Sequence, residues 1–341
     1  MTEAKKDQLE YRAAIAEALA EELERDERVI FYGEDVAAAG GVFKATPGLH
    51  ERFGDDRVFD TPISELAMCS AAFGAAVTGL RPVVEVMFGD FMTLAMDPLV
   101  NQAAKWWYLS NERVSVPLVI RTAVGGGGSF GAIHSQNPAP WFLSVPGLKI
   151  VCPAFPSDAK SLLKASIRDQ NPVLFLEHKR LYSLKEPMVV DPSASGNEVE
   201  PLGRARVVRE GSDTTIVAIH RGVHDALAAA EELAKDGIAA EVLDLRCLRP
   251  LDLDAVLGSV AKTNRLLCVD EGAALGGWGR GLIGAVAQHG LEQLDDVWLL
   301  ASSDHPVPYS PRLEQVHLPG SDAIAASVRR RLGAVMSISN Q

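Results

Sequence analysis

Glu65 is the residue whose setting most suggests chemistry. It stands in Thr61-Pro62-Ile63-Ser64-Glu65-Leu66, at the head of a stretch that carries no charge from Leu66 through Leu80. The backbone dipole favours a carboxylate in the first turn of a helix, and with Ser64 as a cap that alone accounts for a Glu at this spot. The uncharged helix behind it, however, draws the side chain toward an interior. A carboxylate placed there needs a partner or a raised pKa, and acids buried in this way are often functional.

Val124–His134 reads VGGGGSFGAIH. Gly126, Gly128 and Gly131 satisfy the dinucleotide pattern G-x-G-x-x-G after an expected strand. Asn137-Pro138-Ala139-Pro140 then follows where such a site needs a helix, and no acid lies at the required distance, so a nicotinamide or flavin site is rejected. The glycines instead suit a loop lying close to a ligand. His134 ends this loop, where an imidazole can reach a ligand and move protons near neutral pH; a lone His is as readily structural. Asp60, Glu85 and Asp97 show no metal-cage spacing. His220 and His224 fall at an ordinary helix start.

The elements that must position these residues alternate short β-branched runs with longer helical patterns, the signature of an α/β chain with mainly parallel sheets. Strands are expected at Val29–Tyr32, Arg57–Phe59, Pro82–Phe88, Pro117–Arg121, Leu148–Cys152 and Val173–Glu177. Helices are expected at Arg12–Arg25, Ser64–Thr78, Phe91–Leu109 and Ser157–Arg168. The segment KEPMVVDPSASGNEVEP is rich in Pro, Ser and acids and has no sustained period, so residues 185–201 read as a linker between domains at 1–184 and 202–341. Beyond it come strands at Thr215–Ile219, Ala240–Leu245, Leu266–Asp270 and Val297–Leu300, with helices at Val223–Lys235 and Leu282–His289.

Composition narrows the function classes. A chain of 341 residues that is 47% hydrophobic can bury two cores, and a net charge of −12 without a basic run disfavours nucleic-acid and anionic-membrane binding. The four cysteines form no C-x-x-C pair and read as buried hydrophobes. The charged, helix-like opening MTEAKKDQLEYRAAIAEAL is unlike a signal or transit peptide, and the expected location is cytoplasmic.

Taken together, the motifs resemble the beta subunits of the thiamin diphosphate-dependent component of 2-oxo acid dehydrogenase complexes. The resemblance runs through Gly33-Glu34-Asp35-Val36, Gly40-Gly41-Val42-Phe43, Arg57-Val58-Phe59-Asp60-Thr61-Pro62-Ile63-Ser64-Glu65 and Gly79-Leu80-Arg81-Pro82. It continues in His134-Ser135-Gln136, Pro146-Gly147-Leu148-Lys149, Ile167 to Val173, Glu177-His178-Lys179, Leu248-Arg249-Pro250-Leu251-Asp252 and Pro308-Tyr309. It implies a transketolase-like pyrimidine-binding domain followed by a transketolase C-terminal domain. It also implies an α2β2 heterotetramer in which an alpha subunit holds the diphosphate and Mg²⁺ through a Gly-Asp-Gly motif that this sequence lacks.

By that resemblance Glu65 is the catalytic acid at the cofactor's aminopyrimidine, Glu34 a further cofactor-binding residue, and Phe91 the aromatic against the ring. His134 is the active-site histidine. Leu118, Ser166, Ile167, Asp169 and Asn171 correspond to a K⁺ site found in some members. The implied reaction decarboxylates pyruvate or a branched-chain 2-oxo acid and passes the acyl group to the lipoyl arm of an acyltransferase. Pro98, Ser70, Pro138-Ala139-Pro140 and His305 depart from the family pattern and bear on the substrate. An acetoin dehydrogenase beta subunit is the alternative, and a non-catalytic scaffold docking the acyltransferase is the alternative of another class.

Overall fold

The structure, a computed structural model, describes residues 8–187 and 199–339. The chain divides into two compact units. One comprises Met1–Val124 with Trp141–Leu202, the other Gly125–Pro140 with Gly203–Gln341. The first unit is therefore interrupted by the glycine-rich segment, which packs with the second.

In the first unit the strands are β1 (Gln8–Glu10), β2 (Val29–Gly33), β3 (Val58–Asp60), β4 (Arg81–Phe88), β5 (Val119–Val124), β6 (Lys149–Val151), β7 (Val173–His178) and β8 (Lys185–Pro187). The strands β6-β7-β5-β4-β2-β3 lie side by side in that order, every pair parallel. Strands buried on both faces read as continuous apolar runs, as VIFYG and VLFLEH do. β1 and β8 form a separate antiparallel pair, so the first residues of the expected linker are a strand. The middle of that linker lies outside the described residues.

The helices are α1 (Tyr11–Arg25), α2 (Leu49–Phe53), α3 (Glu65–Val77), α4 (Ala104–Leu109), α5 (Ala139–Phe142) and α6 (Pro156–Arg168). α6 opens with Pro156 at its first turn and buries Ala159, Leu162, Leu163, Ser166 and Ile167, the i, i+3, i+4 spacing of one face. Its other side meets α1 through Lys160–Glu17, Lys164–Glu21 and Arg168–Glu22 pairs. Phe91–Leu109 was expected as one helix and is three pieces. A 3-10 turn spans Gly89–Thr93, a π-helical stretch spans Asp97–Ala103, and α4 follows. Pro98 has no N–H to give and its ring forbids a regular α-helix running through from Phe91, so the helix restarts there.

α3 departs from expectation in two ways. Ser64 precedes it, yet its side chain makes no cap bond. The helix buries Glu65, Met68, Cys69, Ala72 and Ala76, while Leu66, Ala67, Ser70 and Ala71 face outward. Its alanine-rich sequence favours the helix without requiring it to be enclosed all round.

The second unit holds β9 (Arg206–Arg209), β10 (Thr214–Ala218), β11 (Ala240–Asp244), β12 (Cys247–Arg249), β13 (Arg265–Ala273) and β14 (Asp296–Ser302). The order β14-β13-β10-β11-β9 is parallel except for β9, which pairs antiparallel with β11 at one edge. Its helices are α7 (Arg221–Ala234), α8 (Leu253–Thr263), α9 (Trp278–Gly290), α10 (Pro311–His317) and α11 (Ser321–Ser339). Asp252 caps α8 by accepting from the Ala255 N–H at 3.2 Å, and Asn264 closes it in the left-handed conformation. Among the described residues no helix is long and apolar enough to cross a membrane.

Candidate active site

Four adjacent strands bring the candidate residues to one edge. In the order β3-β2-β4-β5 all run parallel, so their carboxyl ends lie together, where an open α/β sheet binds ligands. Glu34 leaves β2. Thr61–Ser64 leaves β3 and delivers Glu65 as the first residue of α3. Phe91 sits in the turn after β4, and the glycine-rich segment starts from the end of β5.

Local bonds fix this edge. The Thr61 N–H donates to the Gly33 carbonyl at 2.9 Å, and the Tyr32 hydroxyl reaches the Met68 carbonyl of α3 at 3.0 Å. Asp60 accepts from the Ala37 N–H at 2.8 Å, and the Thr46 hydroxyl donates to the Val36 carbonyl at 3.0 Å, holding the loop that follows Glu34.

Glu34 and Glu65 are both buried, at 7% and 6% exposure, and lie close enough to interact electrostatically. Burial first, and then the Glu65 charge, pushes the Glu34 carboxyl above its ordinary range, against a backbone N–H of Ser64 that favours the ion. Oε1 of Glu34 is buried with no hydrogen-bond partner among the described residues. A buried acceptor left open beside a second carboxylate is costly within the chain alone, and it fits a ligand that donates hydrogen bonds there.

Phe91 is half-buried and packs edge-on against Phe88, centroids 5.8 Å apart at 77°. Phe88 in turn meets Phe43 at 5.6 Å, and Phe43 stacks on Tyr182 at 5.0 Å. The Gly40-Gly41-Val42-Phe43 motif thus ends in a ring buttressing the one that carries Phe91. Beneath lies a charged group whose members sequence reasoning did not connect. Arg121 of β5 grips Glu177 of β7 with two bonds of 2.8 and 2.7 Å and also pairs with Glu85 of β4. The Tyr182 hydroxyl donates to Glu177 at 2.8 Å. No local pattern marks these residues, because each sits in an apolar run and meets its partners only once the strands align.

His134 belongs with the second unit and is half-buried; neighbouring Ser135 has a buried hydroxyl oxygen with no partner among the described residues. Of the five K⁺ candidates, Ser166, Ile167, Asp169 and Asn171 lie at the end of α6 and the turn into β7, and Leu118 lies just before β5. Protein cations lie against part of the set. The Arg81 guanidinium donates to the Ile167 carbonyl at 2.8 Å and the Asp169 carbonyl at 3.1 Å, and Lys149 pairs with the Asp169 carboxylate. Leu118 gives its carbonyl to the Val173 N–H at 2.8 Å, and Asn171 donates to Asp169 from its backbone at 2.9 Å. Among the described residues no group of three or more His, Cys, Asp and Glu side chains is placed to hold a metal ion. All four cysteines are free and buried, and burial pushes the Cys69 thiol up to about 12.

Two units with mainly parallel sheets, the first with a buried carboxylate pair at the carboxyl ends of its strands, fit a transketolase-type chain. The family described as the transketolase pyrimidine-binding domain matches residues 7–185, and the transketolase C-terminal domain matches 203–324. The chain is 44% identical over 94% of its length to the 2-oxoisovalerate dehydrogenase subunit beta of Bacillus subtilis, covering 98% of that protein. It is 43% identical over 95% of its length to the beta subunit of an acetoin:2,6-dichlorophenolindophenol oxidoreductase of Cupriavidus necator, covering 97% of it. It is 42% identical over 94% of its length to the mitochondrial pyruvate dehydrogenase E1 component subunit beta of Caenorhabditis elegans, covering 92% of it. A split-gene transketolase solved as an inactive beta4 tetramer shares the fold, with a TM-score of 0.77 at 21% identity over 94% of this chain and 97% of that one. The chain belongs to the E1 beta-subunit family of 2-oxo acid dehydrogenase complexes, within the transketolase-like superfamily.

Proposed function

We propose that this chain is the catalytic beta half of a thiamin diphosphate-dependent E1 component, acting on pyruvate or a branched-chain 2-oxo acid in the cytoplasm. It works only with an alpha subunit that holds the diphosphate and Mg²⁺, in an α2β2 assembly, and passes the acyl group to the lipoyl arm of an acyltransferase. The observation that carries this reading is the buried Glu34–Glu65 pair with its unpartnered acceptor at the carboxyl edge of the sheet. When bound, thiamin diphosphate supplies a nucleophilic thiazolium carbon and an electron sink for decarboxylation.

This chain's residues prepare that chemistry. Glu65, buried at the head of α3, would hold the aminopyrimidine through a charge-assisted hydrogen bond, which counts most where water is excluded. Glu34 accepts at its open Oε1. Phe91, held by its edge-on contact with Phe88, would pack against the ring. His134, at the end of the glycine-rich segment, moves a proton during attack on the oxo group or during acyl transfer. The 43% identity to an acetoin oxidoreductase subunit supports a second reading, in which the same residues cleave acetoin.

The test is oxo acid-dependent reduction of an artificial electron acceptor, by the chain alone and co-expressed with an alpha subunit, with thiamin diphosphate and Mg²⁺. Pyruvate, branched-chain oxo acids and acetoin are offered separately. Activity in the pair only, lost about 100-fold or more in Glu65→Ala, is the expected result. Full activity in a folded Glu65→Ala pair would make the chain a scaffold and overturn the proposal.

A further inference from the structure

The proposed chemistry gives His134 a task but leaves the glycines before it without one. Their backbone is held from one side by two carboxylates of the second unit. Glu314 of α10 is 3% exposed. Its Oε1 accepts from the Gly127 N–H at 2.7 Å, and its Oε2 accepts from the Ser129 N–H at 2.9 Å and the Ser129 hydroxyl at 3.4 Å. Glu271 of β13 accepts from the Gly126 N–H.

The sequence makes this geometry possible. Gly125, Gly127 and Ser129 stand at φ of 86°, 90° and 57°, so positive-φ residues alternate with ordinary ones, and the N–H groups of Gly127 and Ser129 converge on one carboxylate. Such a turn makes a concave anion receptor. Here the anion is the chain's own side chain. The remainder of the segment is pinned nearby. A Cβ on Gly126 would stand 3.1 Å from the Leu318 side chain, and one on Gly131 would run into the Tyr309 ring. The Gly125 N–H donates to the Gln136 carbonyl at 3.2 Å and closes the base of the loop around His134.

We propose that Glu314, seconded by Glu271, is a positioning residue that fixes the backbone of residues 126–129 and thereby sets where the His134 imidazole stands. A run of glycines left untethered samples more backbone conformations than any other sequence. Displacing a proton-transfer group by about 1 Å costs on the order of 100-fold in rate. The consequence for activity rests on the role given to His134 above; the tether itself does not.

The experiment uses the co-expressed assembly carrying Glu314→Gln, Glu314→Asp or Glu271→Gln, with His134→Ala alongside. Two quantities are read. One is hydrogen exchange in peptides spanning residues 125–134. The other is the ratio of lipoamide acylation to artificial-acceptor reduction. In Glu314→Gln the amide nitrogen opposes an N–H it should accept from, so exchange quickens at least tenfold and the ratio falls at least tenfold. Glu314→Asp, which keeps the charge, recovers part of both. Unchanged exchange in Glu314→Gln overturns the tether whatever the activities. Faster exchange with an unchanged ratio overturns the positioning role. If His134→Ala leaves acylation intact, the reading of His134 fails, and the tether is still judged on exchange alone. Should Glu314→Gln fail to assemble, Glu271→Gln, which removes the acceptor of the Gly126 N–H, is held to the same two criteria.

Discussion

Replacing Arg121 by Met tests whether the centre of the first sheet is as dry as its packing requires. Arg121 is 1% exposed, with Glu85 at 7% and Glu177 at 0%. Burial alone would lower the guanidinium's pKa, but Glu177 and Glu85 outweigh it and push it up, while burial raises the Glu85 carboxyl despite Arg121. Met keeps most of the volume and removes the cation that pairs with both acids. Leaving buried carboxylates without their partner costs about 3–5 kcal/mol. For a unit of this size, at roughly 2–4 °C per kcal/mol, the melting temperature drops by about 6–20 °C.

The sign with pH follows from which carboxyls are perturbed. In the variant the Glu85 carboxyl, already raised by burial, loses the cation that offset it, so the folded state binds its proton more tightly. Stability is then retained at pH below the ordinary carboxylate range and lost as pH rises. The deficit should therefore be larger at about pH 8 than at about pH 5. Thermal unfolding of the assembled protein, followed by circular dichroism at several pH values, measures it. A triple variant, Arg121→Met with Glu85→Gln and Glu177→Gln, should recover most of the loss, since removing a whole buried charged set is often close to neutral. A loss below about 1 kcal/mol at every pH would refute the argument, because only water reaching the group could make it so cheap.

Glu34→Gln should stabilise the cofactor-free protein above the ordinary carboxylate range, because the wild-type carboxyl, raised in the folded state, weakens folding once it ionises; the gain in melting temperature should vanish near pH 4. The same change should weaken thiamin diphosphate binding roughly tenfold, the worth of one charge-assisted hydrogen bond, measured by titration of the assembled pair. Gly147→Ala should fail to give stable protein, since Gly147 stands at φ 87° and a Cβ there would run into the Ala104 carbonyl oxygen; soluble yield and melting temperature report it. Exchanging KCl for NaCl should leave the melting temperature unchanged, because Arg81 and Lys149 already supply positive charge to the Ile167–Asn171 turn; a K⁺-specific rise of several degrees would place the ion there instead.

Glu65 could be singled out from the sequence because an acid opening an uncharged helix is locally conspicuous, and the strands around it could be found because each is a short β-branched run between breakers. What stayed hidden depends on long-range contact. Glu314 looks like any acid in PRLEQVH, and nothing near it indicates that it reaches Gly127 and Ser129. Arg121 is one charge in VIRTAV until β4 and β7 flank it. The interruption at Pro98 was readable in principle, since proline breaks the pattern, but the apolar period on either side masked it. β9 and the β1–β8 pair were missed because they are short and carry little apolar content.

Glu314 lies 185 residues after the Ser129 whose backbone it holds. A ribosome adds about 5–20 residues per second, so that interval lasts roughly 10–40 seconds during synthesis. Over this time the residues of the first unit can all emerge, through Leu202, while the segment bearing His134 still waits for its anchor. The histidine's setting is therefore among the last things a nascent molecule acquires, and a polypeptide released before α10 is made carries Glu34 and Glu65 but lacks the carboxylate that holds Gly127 and Ser129.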